Sequence, residues 1–438
     1  VPTAVAAVLD RLAARGEVWL VGGAVLGWLS GQAAPDVDAI AALDADALAA
    51  AGGVAIGGRF GTHAWRNQGA LLEVSPLRGQ SLADDLAARD FSIHAIAARW
   101  PDGRICDPCG GRRDRETRLL RAPQGAATFA ADPLRILRGW RRVAHGRRWH
   151  GPTLAAARQA LPALRQAPPE RQGPEWLKLL VGAHAGSTLR AMGREPGLLE
   201  ALHPVLGAMN QPPPPPRHAF NPWVHTSHVV AALPAEAALR LAGLFHDSGK
   251  ALPRLAQDSP WPQPAADAPP WHLSGHAAAS RAVLARTAAQ WALPTAIADR
   301  ALRLVAAHTF DPQTLCEDAV ARRVWIAANA PDAQTLVTFL RADYRATGRG
   351  RPAPILDQLT EQIARDEAAA WPRRPADLPI DAAALFGRLG IQGAARSRLL
   401  EALWHWVLAD PAERQQSDVL AGAAERISRD LTRPPDRS

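Results

Sequence analysis

Apolar positions along this chain fall into two regimes. Up to about residue 121 they come in short runs. Val18–Val21, Asp38–Ala41, Leu71–Val74 and Ile93–Ala98 read as strands, separated by glycine and proline clusters. From about residue 125 onward the apolar spacing is helical almost throughout. The pattern predicts an α+β chain with four regions: a head (1–121), a helical neck (122–211), a histidine-bearing helical region (217–348) and a helical tail (349–438). The proline run Pro212–Pro216 is extended and semi-rigid, a natural boundary. A second proline-containing stretch, roughly 350–380, precedes the last helices, and no solenoid repeat is present.

The first strand ends in Gly22-Gly23, and a short amphipathic run then leads to Asp36-Val37-Asp38. Side chains two apart on a strand share a face, so Asp36 and Asp38 on a strand project into one cleft. Such a pair suits Mg²⁺, which uses few protein carboxylates and keeps positions for water and phosphate oxygens. The glycines allow close backbone approach to a ligand, and the helix start after them offers N–H groups to a triphosphate. Singly, Gly-Gly also reads as a tight turn and Asp-X-Asp as a solvated loop; in this order they favour nucleotide chemistry. Glu73, inside the Leu71–Val74 run, reads equally as a third carboxylate near the metals or as an edge-strand charge facing solvent.

Composition adds less. Fifty Lys and Arg against 42 Asp and Glu leave a charge of +8 over 438 residues, which suits an anionic partner such as nucleic acid. Lys178 and Lys250 are the only lysines, and alanine and proline are abundant, so part of this charge reflects the codon bias of a GC-rich genome. Cys106, Cys109 and Cys316 make no disulfide framework, and a lone C-x-x-C is weak support for zinc. With no apolar run of membrane length and no basic-then-apolar start, the expectation is a cytoplasmic protein without a membrane partner. The sequence sets no oligomeric state.

Three further segments carry chemistry: Arg89-Asp90-Phe91-Ser92-Ile93-His94-Ala95, Cys106-Asp107-Pro108-Cys109-Gly110-Gly111, and Asp132-Pro133-Leu134-Arg135-Ile136-Leu137-Arg138. With the Gly-Gly and Asp-X-Asp head, their order resembles the class II tRNA nucleotidyltransferases and bacterial poly(A) polymerases over about residues 17–200. The resemblance implies a nucleotidyltransferase head with a small mixed β-sheet and an all-α neck. Its implied function is addition of C and A residues to tRNA 3′ ends from CTP and ATP with Mg²⁺. It also implies metal ligation by Asp36 and Asp38, with Glu73 close by, and nucleotide contacts from Gly22, Gly23, Arg89 and Asp90. Glu170-Arg171 through Glu175 and Lys178 are similar to the family's following helical motif. Asp132 and Arg135, three apart, are expected on one helix face. There Asp accepts from an exocyclic amine and Arg donates to a ring nitrogen or carbonyl, a pairing that selects cytosine and adenine over uracil and guanine. Arg138 and Arg141 continue that side toward phosphate or the neighbouring base, while Leu134 and Leu137 are expected to bury the helix.

The chain departs from the family pattern at four positions around the nucleotide: Leu26-Gly27 replaces Arg-Asp, Ala88 an arginine, Ala131 a glutamate and His94 an asparagine.

Downstream lie His225, the segment Phe245-His246-Asp247-Ser248-Gly249-Lys250, His272-Leu273-Ser274-Gly275-His276, His308 and Asp343. Adjacent His-Asp with outlying histidines on other helices suits a metal or metal-pair site. The set resembles the HD phosphohydrolase superfamily. That resemblance implies a first metal on His225, His246, Asp247 and Asp343, a second completed by His276 and His308, a divalent ion such as Ni²⁺ or Mn²⁺, and hydrolysis at RNA ends. The helical tail is expected to contact RNA. Two alternatives remain open: a poly(A) polymerase or partial (CC-only or A-only) adder, and an RNA-binding protein whose transferase head is degenerate beside an active HD hydrolase.

Overall fold

A computed structural model describes residues 1–28, 36–56, 61–67, 69–211, 220–255, 261, 275–348 and 354–432. Pro212–Pro216, His272-Leu273-Ser274 and the side chain of Leu26 lie outside the described residues. The chain divides into two compact units. One comprises residues 1–210 with 288–293, and the other residues 211–287 with 294–438.

The first unit is built on a mixed sheet of β1 (Val18–Val21), β2 (Asp36–Ala41), β3 (Val54–Ala55), β4 (His63–Asn67), β5 (Ala70–Pro76), β6 (Ala97–Trp100) and β7 (Ile105–Cys106). Its order is β3-β4-β5-β2-β1-β6-β7, with β2 and β5 parallel and the other pairings antiparallel. β1 is buried along its whole length because both its faces are covered, Val18 and Leu20 by one core and Trp19 and Val21 by the other, which explains its unbroken apolar run. On one face, Val18, Leu20, Val37, Ala39, Leu72 and Val74 pack against Val5, Val8, Leu9 and Leu12 of the Thr3–Ala13 helix. On the other, Trp19, Val21 and Ile40 form a small core with Leu86, Ala95 and Ala97. Strand alternation turns Asp36 and Asp38 to the face opposite the core that takes Val37 and Ala39.

The expected strand over Ile93–Ala98 is corrected. Ser92–His94 forms a single 3₁₀ turn, and the strand begins at Ala97. Two contacts fix that turn. Ser92 Oγ donates to the buried Asp114 carboxylate at 2.6 Å, and Gly111 packs so closely that a Cβ there would lie 2.0 Å from the Ser92 carbonyl oxygen.

Helices follow the head in the same unit. The Arg135–Ala144 helix buries Ile136, Leu137, Trp140 and Ala144 and turns its arginines outward. Each fully buried Leu or Ile of this kind stabilises by about 1.5–3 kcal/mol. Gly139 lets this helix lie against Trp149, where a Cβ would meet the ring at 2.1 Å. The Gly173–Leu180 helix packs beside it, and its buried Glu175 pairs with Arg141 at 2.8 Å and Arg138 at 3.4 Å.

Every described helix and 3₁₀ turn of the second unit belongs to an all-helical arrangement. Its tail core is formed by Leu356, Leu359, Ile363, Leu399, Leu403, Val407 and Leu420. No helix among the described residues is long and apolar enough to cross a membrane.

Candidate active site

The polar cleft of the first unit has a volume of about 740 Å³. Gly22, Gly23, Asp38, Glu73, Arg89, Asp90, Arg135, Arg138 and Arg141 all line it, so most of the residues singled out by sequence converge there. In the parallel pair β2–β5, Asp38 is the register partner of Glu73. Gly22 sits at φ +64°, and a Cβ on it would come within 2.8 Å of Asp38 Oδ2. Only glycine combines that backbone with that approach. At Gly23 a Cβ would meet open space, so the backbone there is accessible from the cleft.

Burial raises the Asp38 pKa, Arg89 opposes this, and Asp36 raises it further. Asp36 lies exposed at the start of β2 and is not among the residues lining the cleft. Two neighbouring acids and Glu73, all oxygen donors with only part of their charge offset by arginine, fit a hard divalent cation such as Mg²⁺.

Asp90 is held by its neighbours. His94 Nδ1 lies 2.7 Å from its Oδ1, and the Phe91 N–H donates to the same oxygen at 2.9 Å. Burial alone would raise Asp90, but His94 and Arg138 hold it well below the usual carboxylate range. His94 Nε2 is buried and has no hydrogen-bond partner among the described residues. Arg89 is pushed down by burial, an effect offset by Asp85 at 3.6 Å.

The expected base-reading pair is corrected in its geometry. Asp132 is not on the helix. It lies extended at φ −154°, ψ 100°, and the helix starts at Arg135. Pro133 explains this, because proline pushes the residue before it out of the helical region. Asp132 Oδ2 accepts from Arg171 at 2.7 Å, and Asp132 does not line the cleft. Arg135 does line it, and donates to the carbonyls of Ala88 at 2.8 Å and Thr128 at 3.2 Å.

Sequence reasoning missed several lining residues. Arg142 was visible as the next step of the 135/138 arginine stripe. Thr62, Ser75, Arg78 and Asp85 carry no motif, and only folding brings Arg78 Nε to within 2.9 Å of Asp85.

In the second unit a histidine–aspartate cluster joins several helices. Asn221 caps the Pro222–Ala232 helix by accepting from the Val224 N–H at 2.8 Å, which sets His225 in the first turns. His246 and Asp247 follow the Ala237–Phe245 helix, His308 follows Thr295–Ala307, His276 opens its helix, and Asp343 lies on Ala333–Ala346. Gly249 permits the close approach of the His276 segment, since a Cβ there would lie 2.7 Å from the His276 carbonyl oxygen.

His225, His246 and Asp247 can converge on one ion, and Asp247, His276 and His308 on another. Asp343 Oδ1 is 2.8 Å from His225 Nε2, and Lys250 Nζ is 2.7 Å from Asp247 Oδ1. The Nδ1 atoms of His225, His246 and His308 face the carbonyls of Ala346, Gly243 and Val305 at 3.3, 2.9 and 2.7 Å. Such bonds place the proton on Nδ1 and aim the Nε2 lone pair at the centre, as metal-binding histidines require. Nε2 atoms also face each other, 3.3 Å apart in His225–His246 and 3.2 Å in His276–His308. Burial, with His246 beside it, pushes His308 down to about 4, so it is neutral at pH 7. Burial works against charge on His246, but Asp247 and Asp343 outweigh it and its pKa rises.

Residues 62–121 match the family described as the Poly A polymerase head domain, and residues 150–209 match the probable RNA- and SrmB-binding site of polymerase A. The Multifunctional CCA protein of Thioalkalivibrio sulfidiphilus is 33% identical over 303 residues, covering 65% of this chain and 70% of that protein. The chain belongs to the CCA-adding enzyme family. The Multifunctional CCA protein of Methylococcus capsulatus is 40% identical over 183 residues, 39% of this chain, and the match spans 42% of that relative's length. The fold matches that of the Bacillus stearothermophilus CCA-adding enzyme, solved with CTP, at a TM-score of 0.66 and 21% identity over 98% of this chain and 97% of that one. Of the positions where this chain departs from the family pattern, His94 lines the cleft and Ala88 precedes the lining Arg89, whereas Ala131 precedes Asp132, outside the lining. Arg135 reaches the Ala88 carbonyl, and His94 holds Asp90.

Proposed function

We propose that this protein adds C and A residues to tRNA 3′ ends, taking CTP and ATP and using no nucleic-acid template. One observation carries the reading: Asp38 and Glu73, on adjacent strands, share a cleft with Arg89, Asp90 and the arginine face of the Arg135–Ala144 helix. Asp36 and Asp38, with Glu73 beside them, would hold Mg²⁺. When bound, that ion lowers the pKa of the RNA 3′-hydroxyl and offsets charge on the departing pyrophosphate. Arg89 and Arg138 line the cleft and would neutralise charge on triphosphate oxygens bound there. Asp90, oriented by His94, accepts from a ribose hydroxyl. Base choice begins with Arg135, which lines the cleft. Asp132, paired with Arg171 at 2.7 Å and outside the cleft lining, would join it only when that pair opens.

The test is extension of tRNA transcripts lacking part or all of the terminal CCA, with CTP alone, ATP alone and both, with and without EDTA. Two C additions with CTP, completed by one A when ATP is added, support the reading. C addition without A, or a run of A, favours a partial adder or a poly(A) polymerase. No incorporation under any condition overturns it.

We infer further that the histidine cluster is a metal-dependent phosphohydrolase centre of HD type acting on RNA ends. What supports it is the tautomer control at His225, His246 and His308, with Asp247 common to both candidate ligand groups. His225, His246, Asp247 and Asp343 would hold one divalent ion, and His276 and His308 would hold a second with Asp247. Such ions supply an activated water and bind phosphate oxygens. Lys250, beside Asp247, offers a cation to the phosphate. Release of phosphate from RNA bearing 2′-phosphate or 2′,3′-cyclic ends, measured with Ni²⁺ or Mn²⁺ added, tests this. Metal-independent or absent hydrolysis contradicts it.

A further inference from the structure

Away from the catalytic cleft, the C-terminal ends of two helices of the first unit border a second cavity of about 480 Å³. The Gly111–Glu116 helix ends there in Glu116, Thr117 and Arg118, and the Arg135–Ala144 helix in His145, Gly146 and Arg147. Arg115, Arg118 and Arg147 line it together with His145 and His184, and Glu116 is the one carboxylate among its lining residues. A structural role alone explains part of this, because cations complement the negative ends of helices. Arg147 Nη1 does donate to the Arg115 carbonyl at 2.9 Å. Three guanidinium groups around one cavity exceed what two helix ends require.

Arg118 adds an independent sign. It lies at φ 56°, just past a helix end, where the left-handed backbone ordinarily takes glycine. An arginine kept there against backbone preference is in the setting where strain marks function. Burial pushes the Arg147 guanidinium pKa down, and Arg115 and Arg118 push it further. These clustered like charges favour an anion with several oxygens, such as phosphate.

Position suggests which phosphate. Arg135, Arg138, Arg141 and Arg142 line the catalytic cleft, and just past the end of the same helix, at Ala144, the chain brings His145 and Arg147 to the second cavity. A ten-residue helix rises about 15 Å, close to four or five stacked nucleotides at about 3.4 Å each.

We propose that the cavity of Arg115, Arg118 and Arg147 binds a backbone phosphate of the RNA substrate, a few nucleotides back from the 3′ end that reacts in the cleft. The inference rests on the nucleotidyltransferase reading.

The experiment measures binding of a tRNA transcript lacking CCA to the full chain across a range of salt concentrations, together with KM for CTP and ATP. Wild type, Arg118→Gly and the triple variant Arg115→Ala, Arg118→Gly, Arg147→Ala are compared. Glycine suits the backbone at 118, so Arg118→Gly should melt at the same or a higher temperature. The slope of log affinity against log salt should nevertheless fall by about one. In the triple variant it should fall by about two to three, with affinity down ~10-fold or more near 0.15 M salt. KM for both nucleotides should stay within about twofold of wild type, as expected when a contact to RNA alone is removed.

An unchanged slope in folded Arg118→Gly overturns the proposal. So does a raised nucleotide KM with RNA affinity intact, which would assign the cavity to free triphosphate. If wild type binds no RNA, the nucleotidyltransferase reading fails first, and this proposal with it.

Discussion

Asp38 and Glu73 are register partners on adjacent parallel strands, so their carboxylates stand side by side on one face of the sheet. Asp36 lies two residues before Asp38 on the same face, where its partner in β5 is Leu71. Glu73 therefore flanks the Asp36–Asp38 pair proposed to hold Mg²⁺, and β5 lies inside the sheet between β4 and β2, so Glu73 is not an edge charge. Glu73→Gln should lower nucleotide incorporation about 10- to 100-fold and raise the Mg²⁺ needed for half-maximal rate, the size expected for losing a group that supports a metal's ligands. A Mg²⁺ titration of the incorporation rate checks this, and an unchanged titration curve would return Glu73 to the edge-charge reading.

Gly22→Ala places a methyl 2.8 Å from Asp38 Oδ2 at a φ of +64°. The left-handed backbone costs a non-glycine residue about 1–2 kcal/mol. The displaced carboxylate should add a loss of incorporation disproportionate to that stability change. Gly23→Ala, whose methyl meets open space, should retain the melting temperature of wild type. Denaturation and incorporation measured on both variants separate the two effects.

His203 gives the first unit a pH signature. Burial pushes its imidazole down to about 3 in the folded state, whereas the unfolded value is near 6.5. Between those values the unfolded chain binds the extra proton, so stability is full above about pH 6.5 and declines as pH falls toward 3. The decline from His203 amounts to about 2 kcal/mol between pH 7 and pH 5, at up to about 1.4 kcal/mol per pH unit. Urea unfolding at both pH values should show His203→Asn losing less stability than wild type over that interval. Equal losses would contradict the assignment.

Metal should stabilise the second unit. A divalent ion at 100 times its dissociation constant adds about 2.7 kcal/mol to the folded state. EDTA should therefore lower its melting transition, and Ni²⁺ or Mn²⁺ should restore it. In His246→Ala, which removes one of the three groups proposed to converge on an ion, His225, His246 and Asp247, added metal should shift the transition far less. Calorimetry with and without metal distinguishes these outcomes from a purely structural histidine cluster, which would respond to neither.

Much of the head was legible because its signals are local. The apolar run Val18–Val21, the alternation around Asp36 and Asp38, and the glycine pair each determine backbone through nearest neighbours. Long-range contacts hid the rest. Ile93 and His94 look like the start of a strand in sequence, yet Asp114 and Gly111, some twenty residues on, hold Ser92–His94 as a turn. Asp132 failed for a local reason that was available, since the following proline disfavours helix at 132. Its pairing with Arg171, 39 residues away, had no comparable signal. Arg78 and Asp85 became visible as cleft residues only after β5 and the Leu82–Ala87 helix were packed.

Incorporation of labelled CTP and ATP into a tRNA transcript lacking CCA, compared between wild type and Asp38→Ala, tests the central claim most directly. With Mg²⁺ present, wild type should extend the transcript, and the folded variant should be slower by about 10³-fold or more, the scale of removing a group that stabilises transition-state charge. Equal extension by both proteins would contradict the account.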